Sequence, residues 1–154
     1  MQPRIEYGRV APGAHKAMLG LEEYVRQSGL ESALLELVRT RASQLNGCAY
    51  CLDMHTKDAL AGGEDPQRLF ALSAWRETPF YTERERAALA YAEAVTRIAG
   101  DVDDALFAQV RGQFSEREIV DLTLAIVAIN GWNRLAVSMR TPPGSYKPRT
   151  KAGD

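Results

Sequence analysis

The stretch NGCAYCLDMH, Asn46 to His55, holds both cysteines of the chain and one of its two histidines. Cys-x-x-Cys-x-x-x-His admits three chemistries: a metal site, a structural disulfide or a redox centre. If Gly47 stops one helix and Cys48 opens the next, the two cysteine Cα atoms lie about 5 Å apart. A disulfide tolerates that separation. Thiolates in a first helical turn also meet unpaired backbone N–H groups and the positive end of the helix dipole, which lowers their pKa. His55 stands one turn beyond Cys51 on the same face and could take the thiol proton directly or through a water. A reactive thiol, a resolving thiol and a base then share one stripe. That is the minimum set for attack on peroxide oxygen, followed by condensation of the sulfenic acid with its neighbour.

The competing chemistries are weighed on ligand count and compartment. Structural zinc takes four ligands, and the motif supplies three. His15 or Glu36 could be recruited as the fourth, but there is no second Cys/His pair. A structural disulfide closing so short a loop adds little stability. In a reducing compartment a lone cysteine pair is more often catalytic, redox-active or metal-binding than a staple. A thioredoxin-type site is disfavoured because no βαβ pattern precedes the motif. His15, Tyr50 and Met54 read as packing or surface residues.

The elements that must position this stripe are helices. Apolar residues recur at helical spacing in segments 15–27, 30–45, 48–61, 66–75, 82–99, 103–113 and 115–139, and no alternating strand pattern of useful length occurs. Gly29, Asn46-Gly47 and Gly62-Gly63 are stop signals, and Pro66 suits a first turn. Thr82 with Glu85 and Ser115 with Glu118 form capping boxes. The last helix is apolar nearly all round from Leu122 to Ile129, which predicts a central or interfacial place. The sequence therefore predicts an all-α bundle of about six to seven helices, with the CxxC pair at a helix N-terminus.

The 154 residues read as one domain over 1–154, with a core of about 12–140. The tail 141–154, TPPGSYKPRTKAGD, is proline-rich and reads as an extended or disordered arm. Apolar residues make up 45% of the chain and charged residues 25%, an ordinary globular balance. With a net charge of -1 and no run of one sign, neither nucleic acid nor an anionic membrane is an expected partner. The N-terminus has no apolar h-region, and the run Leu122 to Ile129 is short for a membrane span, so a cytoplasmic protein is expected.

The segment ELVRTRASQLNGCAYCLDMHTKDAL closely resembles the signature of the AhpD-like alkylhydroperoxidases of the carboxymuconolactone decarboxylase family. The resemblance continues through WRETPFYTERERAAL and INGWNRLAVSMRTPPG, from about residue 12 to 144, and is to the short, single-copy, peroxidase-related members. It implies an all-helical homo-oligomer, trimeric or hexameric, that reduces hydroperoxides with an external dithiol and needs no metal, haem or flavin. It implies Cys51 as the peroxide-attacking thiol and Cys48 as proton donor and resolving thiol. It also implies a proton relay of His55 with Glu36, twelve residues before Cys48.

On a helical wheel Glu36 falls opposite the Leu34/Val38 arc, beside Arg39 and Ser43, which is a solvated position. Hairpin geometry nevertheless permits the relay. Glu36 lies roughly 16 Å and His55 roughly 12 Å from the Asn46-Gly47 turn, at similar heights on adjacent helices. One departure from the family pattern is Tyr50, which stands where the best-known peroxidase of the group has a histidine. Full-length decarboxylases of the family lack the CxxC pair, so its presence here argues against lactone decarboxylation. The expected function is thiol-dependent hydroperoxide reduction. The alternatives are a decarboxylase-like enzyme using His55 as acid and base, and a non-enzymatic redox sensor or metal-binding oligomer. Asn130, Trp132 and Asn133 could line a substrate pocket or serve packing.

Overall fold

The computed structural model describes residues 2–98 and 100–148. Among these the chain forms eight α-helices and no strand: α1 Tyr7–Val10, α2 Pro12–Arg26, α3 Ser32–Asn46, α4 Ala49–Ala61, α5 Pro66–Ala71, α6 Glu83–Arg97, α7 Asp104–Arg111 and α8 Glu116–Met139. A 3₁₀ segment, Leu72–Glu77, continues α5.

Local chemistry accounts for most of these boundaries. Both capping boxes form: Thr82 and Glu85 open α6, and Ser115 and Glu118 open α8, each side chain bonding the other's backbone N–H. Asp65 and Asp103 cap α5 and α7 through side-chain oxygens that accept from Gln67 N and Leu106 N, each at 2.8 Å. Gly47, at φ 64°, closes α3 in the left-handed conformation.

Two elements differ from the sequence reading. Helix α2 begins at Pro12 rather than His15, because proline fits a first helical turn, where its missing N–H leaves no bond unmade. The single helix expected over 66–75 tightens at Leu72 into the 3₁₀ segment. Leu69, Leu72 and Trp75 are all buried, and their spacing of three places them on one face at three residues per turn. The extra short helix α1 and the 3₁₀ segment account for the difference from about six to seven elements.

Helix α3 is the hub and packs against α4, α6 and α8, while α2 also packs on α8. Its residues from Leu37 to Ser43 are buried without interruption, around the whole circumference. The wheel reading of α3 as a helix with one solvated side is therefore corrected: neighbours cover the polar side as well. Leu34, Val38, Ala88, Leu122 and Ile126 form the main core, and Leu37, Leu72, Trp75 and Leu89 a second cluster. The third holds the chemistry: Ala42, Ile129 and Ala136 surround Cys48 and Cys51, with Tyr50 packed against them.

Helix α8 has 24 residues and a most apolar window of mean hydropathy 1.2, so by length and composition it could cross a membrane. In the fold it is a core helix, with nine buried residues against α2, α3 and α6. From Arg140 to Pro148 the chain runs without regular structure along α4. Gly144 N donates to Asp53 Oδ2 at 3.0 Å, and Lys57 Nζ donates to the Tyr146 carbonyl at 3.1 Å. Residues 149–154 of the expected arm lie outside the described residues.

Candidate active site

The α3–α4 turn builds the site. Gly47 reverses the chain, and Cys48 follows in extended backbone as the N-cap of α4. The Cys48 sulfur accepts from Cys51 N at 3.3 Å, so the first cysteine occupies the place of an ordinary N-cap oxygen. The structure pairs Cys48 with Cys51 as a disulfide, their Cα atoms 5.4 Å apart. Each is only 1% exposed. Hydrogen bonds hold the turn to α8. Asn46 Nδ2 donates to Asn130 Oδ1 at 3.0 Å and to Asn133 Oδ1 at 2.8 Å, and Asn133 Nδ2 donates to Ser43 Oγ at 3.0 Å.

One turn beyond Cys51, His55 is buried between α3 and α4, and its Nδ1 lies 2.9 Å from Glu36 Oε2. Arg39 Nη1 donates to the other Glu36 oxygen at 2.8 Å, and Arg39 Nη2 donates to Glu22 Oε2 at 2.9 Å. Glu22 Oε1 in turn accepts from the Trp132 indole at 3.0 Å. An unbroken polar chain thus runs from α8 through α2 and α3 to the imidazole on α4. Burial pushes the Glu36 carboxyl up, but its bond to His55 and the His55 and Arg39 charges outweigh that and leave it below the ordinary value of 4.5.

An ionised Glu36 accepts only, so His55 Nδ1 must carry the proton it shares. In the neutral imidazole the lone pair is then on Nε2, which is buried and has no hydrogen-bond partner. This is the arrangement of a base held by an orienting carboxylate, with its free nitrogen available to a proton. Asp58, three residues on, lies close by: one ligand atom each of Glu36, His55 and Asp58 fall within 4.8 Å of one another. The metal-competent group among the described residues is therefore two carboxylates with one imidazole, and it contains neither cysteine.

A cleft of about 710 Å³ opens over these groups, with Cys51, His55 and Glu36 on its wall. Cys48 is not among its lining residues. Tyr7, His15 and Trp132 form an aromatic cluster on the cleft, with His15 5.9 Å from Tyr7 and 5.6 Å from Trp132 between ring centroids. Tyr50 and Met54 also line it. A larger hollow of about 960 Å³, between α6 and α7, contains no thiol or histidine.

The structure thus brings Cys48, Cys51, His55 and Glu36 to one place. Of the three residues considered for a pocket, Trp132 lines the cleft, whereas Asn130 and Asn133 anchor the turn. Sequence reasoning missed Asp58, Tyr146, Arg39 and the aromatic wall that includes His15. Asp58 was open to discovery, since i+3 from His55 is a helical neighbour. Nothing in the sequence brings Tyr146 back from the tail.

A model of the carboxymuconolactone decarboxylase family matches residues 12–94, more than half of the chain. The chain belongs to the carboxymuconolactone decarboxylase family. Within that family it is similar to YdfG of Bacillus subtilis, with 44% identity over 140 residues, 90% of this chain and 95% of that one. The crystal structure of ATU0492 from Agrobacterium tumefaciens superposes with a TM-score of 0.91 at 46% identity, covering 94% of this chain and all of that one. That protein is described as of unknown function and a candidate antioxidant defence protein AhpD. A peroxidase-related protein from Silicibacter sp. TM1040 superposes with a TM-score of 0.76 at 25% identity, covering 84% of this chain and 70% of that one. The family chain described here has the AhpD-like all-helical fold, with its CxxC pair at the start of α4.

Proposed function

We propose that this protein reduces organic hydroperoxides through Cys51 and Cys48, with His55 and Glu36 handling the proton and an external dithiol as reductant. The observation that carries this reading is the shared cleft wall of Cys51 and His55, with Glu36 fixing the His55 tautomer 2.9 Å away. The likeness to an AhpD-type candidate and to a peroxidase-related protein supports the same chemistry.

In the reduced state His55 takes the Cys51 proton, and the imidazolium is stabilised by Glu36. The Cys51 thiolate attacks the terminal oxygen of the hydroperoxide. The O–O bond breaks, and the departing alkoxide takes the Cys48 proton to leave as an alcohol. Cys51 is now a sulfenic acid and Cys48 a thiolate. Cys48 attacks the Cys51 sulfur, the S–O bond breaks, and hydroxide leaves as water with the proton held on His55. The sum is two thiols and one hydroperoxide to one disulfide, one alcohol and one water. Two electrons and two protons from the external dithiol restore both thiols. No step requires a metal, haem or flavin.

Cys51 rather than Cys48 lines the cleft, which supports it as the attacking sulfur. The residue immediately before Cys51 is Tyr50, so the alcohol's proton has its source in Cys48 rather than in a neighbouring histidine. The test is steady consumption of an organic hydroperoxide with a dithiol such as dihydrolipoamide or dithiothreitol. Turnover that disappears in Cys51→Ser supports the proposal. Absence of turnover by the reduced wild type with every hydroperoxide and dithiol tried would leave a redox sensor or a His55 acid–base enzyme instead.

A further inference from the structure

We infer that Tyr146, on the arm after α8, is a positioning residue for the relay: by holding Asp58 it keeps Glu36 bound to His55. This rests on the proposed role of Cys51 as the reactive thiol. Two carboxylates, Glu36 from α3 and Asp58 from α4, flank one imidazole, and their nearest atoms fall within 4.8 Å of one another. Such carboxylates compete. If Asp58 takes a proton, its hydroxyl can donate to Glu36 and draw that carboxylate off His55. The Tyr146 hydroxyl lies 2.8 Å from Asp58 Oδ1 and 3.0 Å from Oδ2, donating to the anionic form.

The arm is fixed where it can do this. Lys57 holds the Tyr146 carbonyl, Gly144 N holds Asp53, and Lys57 and Asp53 pair with each other at 2.8 Å. Tyr146 also lines the cleft beside Cys51 and His55. The other charged and titratable groups facing the relay include Arg39 from α3, Glu22 from α2 acting through Arg39, Cys51 and Tyr50 at the start of α4, and Tyr7 and His15 from α1 and α2 across the same cleft. On the α8 side Trp132 supplies an indole, which does not titrate. Burial pushes the Asp58 carboxyl above its ordinary 3.8, the Tyr146 bond opposes that rise, and the Glu36 charge adds to it.

Removing the hydroxyl in Tyr146→Phe takes away the interaction that favours ionised Asp58. Asp58 then protonates at higher pH and engages Glu36. His55 loses its anion, and the thiolate–imidazolium pair weakens. The Cys51 thiol therefore titrates higher. A hydrogen bond to a charged group corresponds to a shift of about one pH unit, or roughly tenfold slower alkylation on the acid side.

The experiment is the pH dependence of Cys51 alkylation by iodoacetamide in the reduced, full-length protein, with the modified site located by mass spectrometry. This readout needs no peroxide turnover, so failure of the proposed activity and failure of this inference are separable. Tyr146→Phe is expected to move the limb up by about one unit, and adding Asp58→Ala should return it to the wild-type position. A Tyr146→Phe profile that superposes on wild type overturns the inference. So does a shift that persists once Asp58 is gone, because the arm would then act by packing alone. Imidazole ¹⁵N shifts give a second reading on Tyr146→Phe: His55 should lose its hydrogen-bonded Nδ1–H signature, and unchanged shifts also overturn it.

Discussion

Glu36 Oε2 and His55 Nδ1 meet at 2.9 Å across the α3–α4 hairpin, although they stand nineteen positions apart in the chain. That contact sets the imidazole tautomer and leaves Nε2 without a partner on a helix face shared with Cys51. Replacing Glu36 by Gln keeps the shape and removes the anion. The expected result is a fall of roughly tenfold to hundredfold in hydroperoxide turnover, less than the roughly 10²–10⁴-fold contributed by a general base itself, because His55 remains. The thiol alkylation limb should move to higher pH in the same variant. Unchanged rate and limb would remove Glu36 from the mechanism.

The depressed Glu36 carboxyl also predicts a pH dependence of stability. Its folded value lies below the ordinary 4.5, so its ion-pair contribution is complete above 4.5. It is lost as the pH falls below 4.5 through the folded value. Denaturant midpoints measured from pH 6 downward should therefore drop less steeply below pH 4.5 in Glu36→Gln than in wild type. Parallel curves would show that Glu36 titrates normally.

Glu118 gives an independent check on the electrostatics of the fold. It accepts from Ser115 N at 2.8 Å and pairs with Arg84 at 2.6 Å. Its bond to the Ser115 backbone, followed by Arg84 and the Ser115 hydroxyl, lowers its carboxyl to about 2. A carbon-detected NMR titration should find it still ionised at pH 3. Titration near 4.5 would mean that the capping box at the start of α8 does not form in solution.

Glu93 tests the scaffold behind the site. Its carboxylate accepts from Arg41 at 2.7 Å, from the Trp75 indole at 2.9 Å and from Arg76 at 2.6 Å. The network ties α3, α6 and the 3₁₀ segment together, with Arg41 and Glu93 both largely buried. Glu93→Leu leaves the Arg41 charge buried without its partner, which costs about 3–5 kcal/mol. Equilibrium unfolding measures it, and a loss below about 1 kcal/mol would show that the network is slack.

The all-helical class, the hairpin around Asn46-Gly47 and both capping boxes were legible because each rests on local chemistry. Periodicity, a stop signal or a box spans fewer than about eighteen residues of chain. The motif likewise made Cys48, Cys51 and His55 candidates on spacing alone. Glu36 was legible only through resemblance, since the wheel of α3 records which residues are polar and not which neighbours cover them. Arg39 shows why: it reads as a surface charge, yet it is buried with two carboxylates brought in from its own helix and from α2. The shift from α-helix to 3₁₀ at Leu72 was hidden because a spacing of three fits either period over so short a run.

The most direct test of the central claim is a count of thiols. The fully reduced protein is mixed with one equivalent of cumene hydroperoxide per chain under anaerobic conditions, and free thiols are titrated afterwards in denaturant. The account predicts loss of both thiols per chain, one equivalent of cumyl alcohol and a Cys48–Cys51 disulfide by mass spectrometry. In Cys48→Ser the same mixing should instead yield a dimedone-reactive sulfenic acid on Cys51. Retention of both thiols in the wild type, with the hydroperoxide unconsumed, would contradict it.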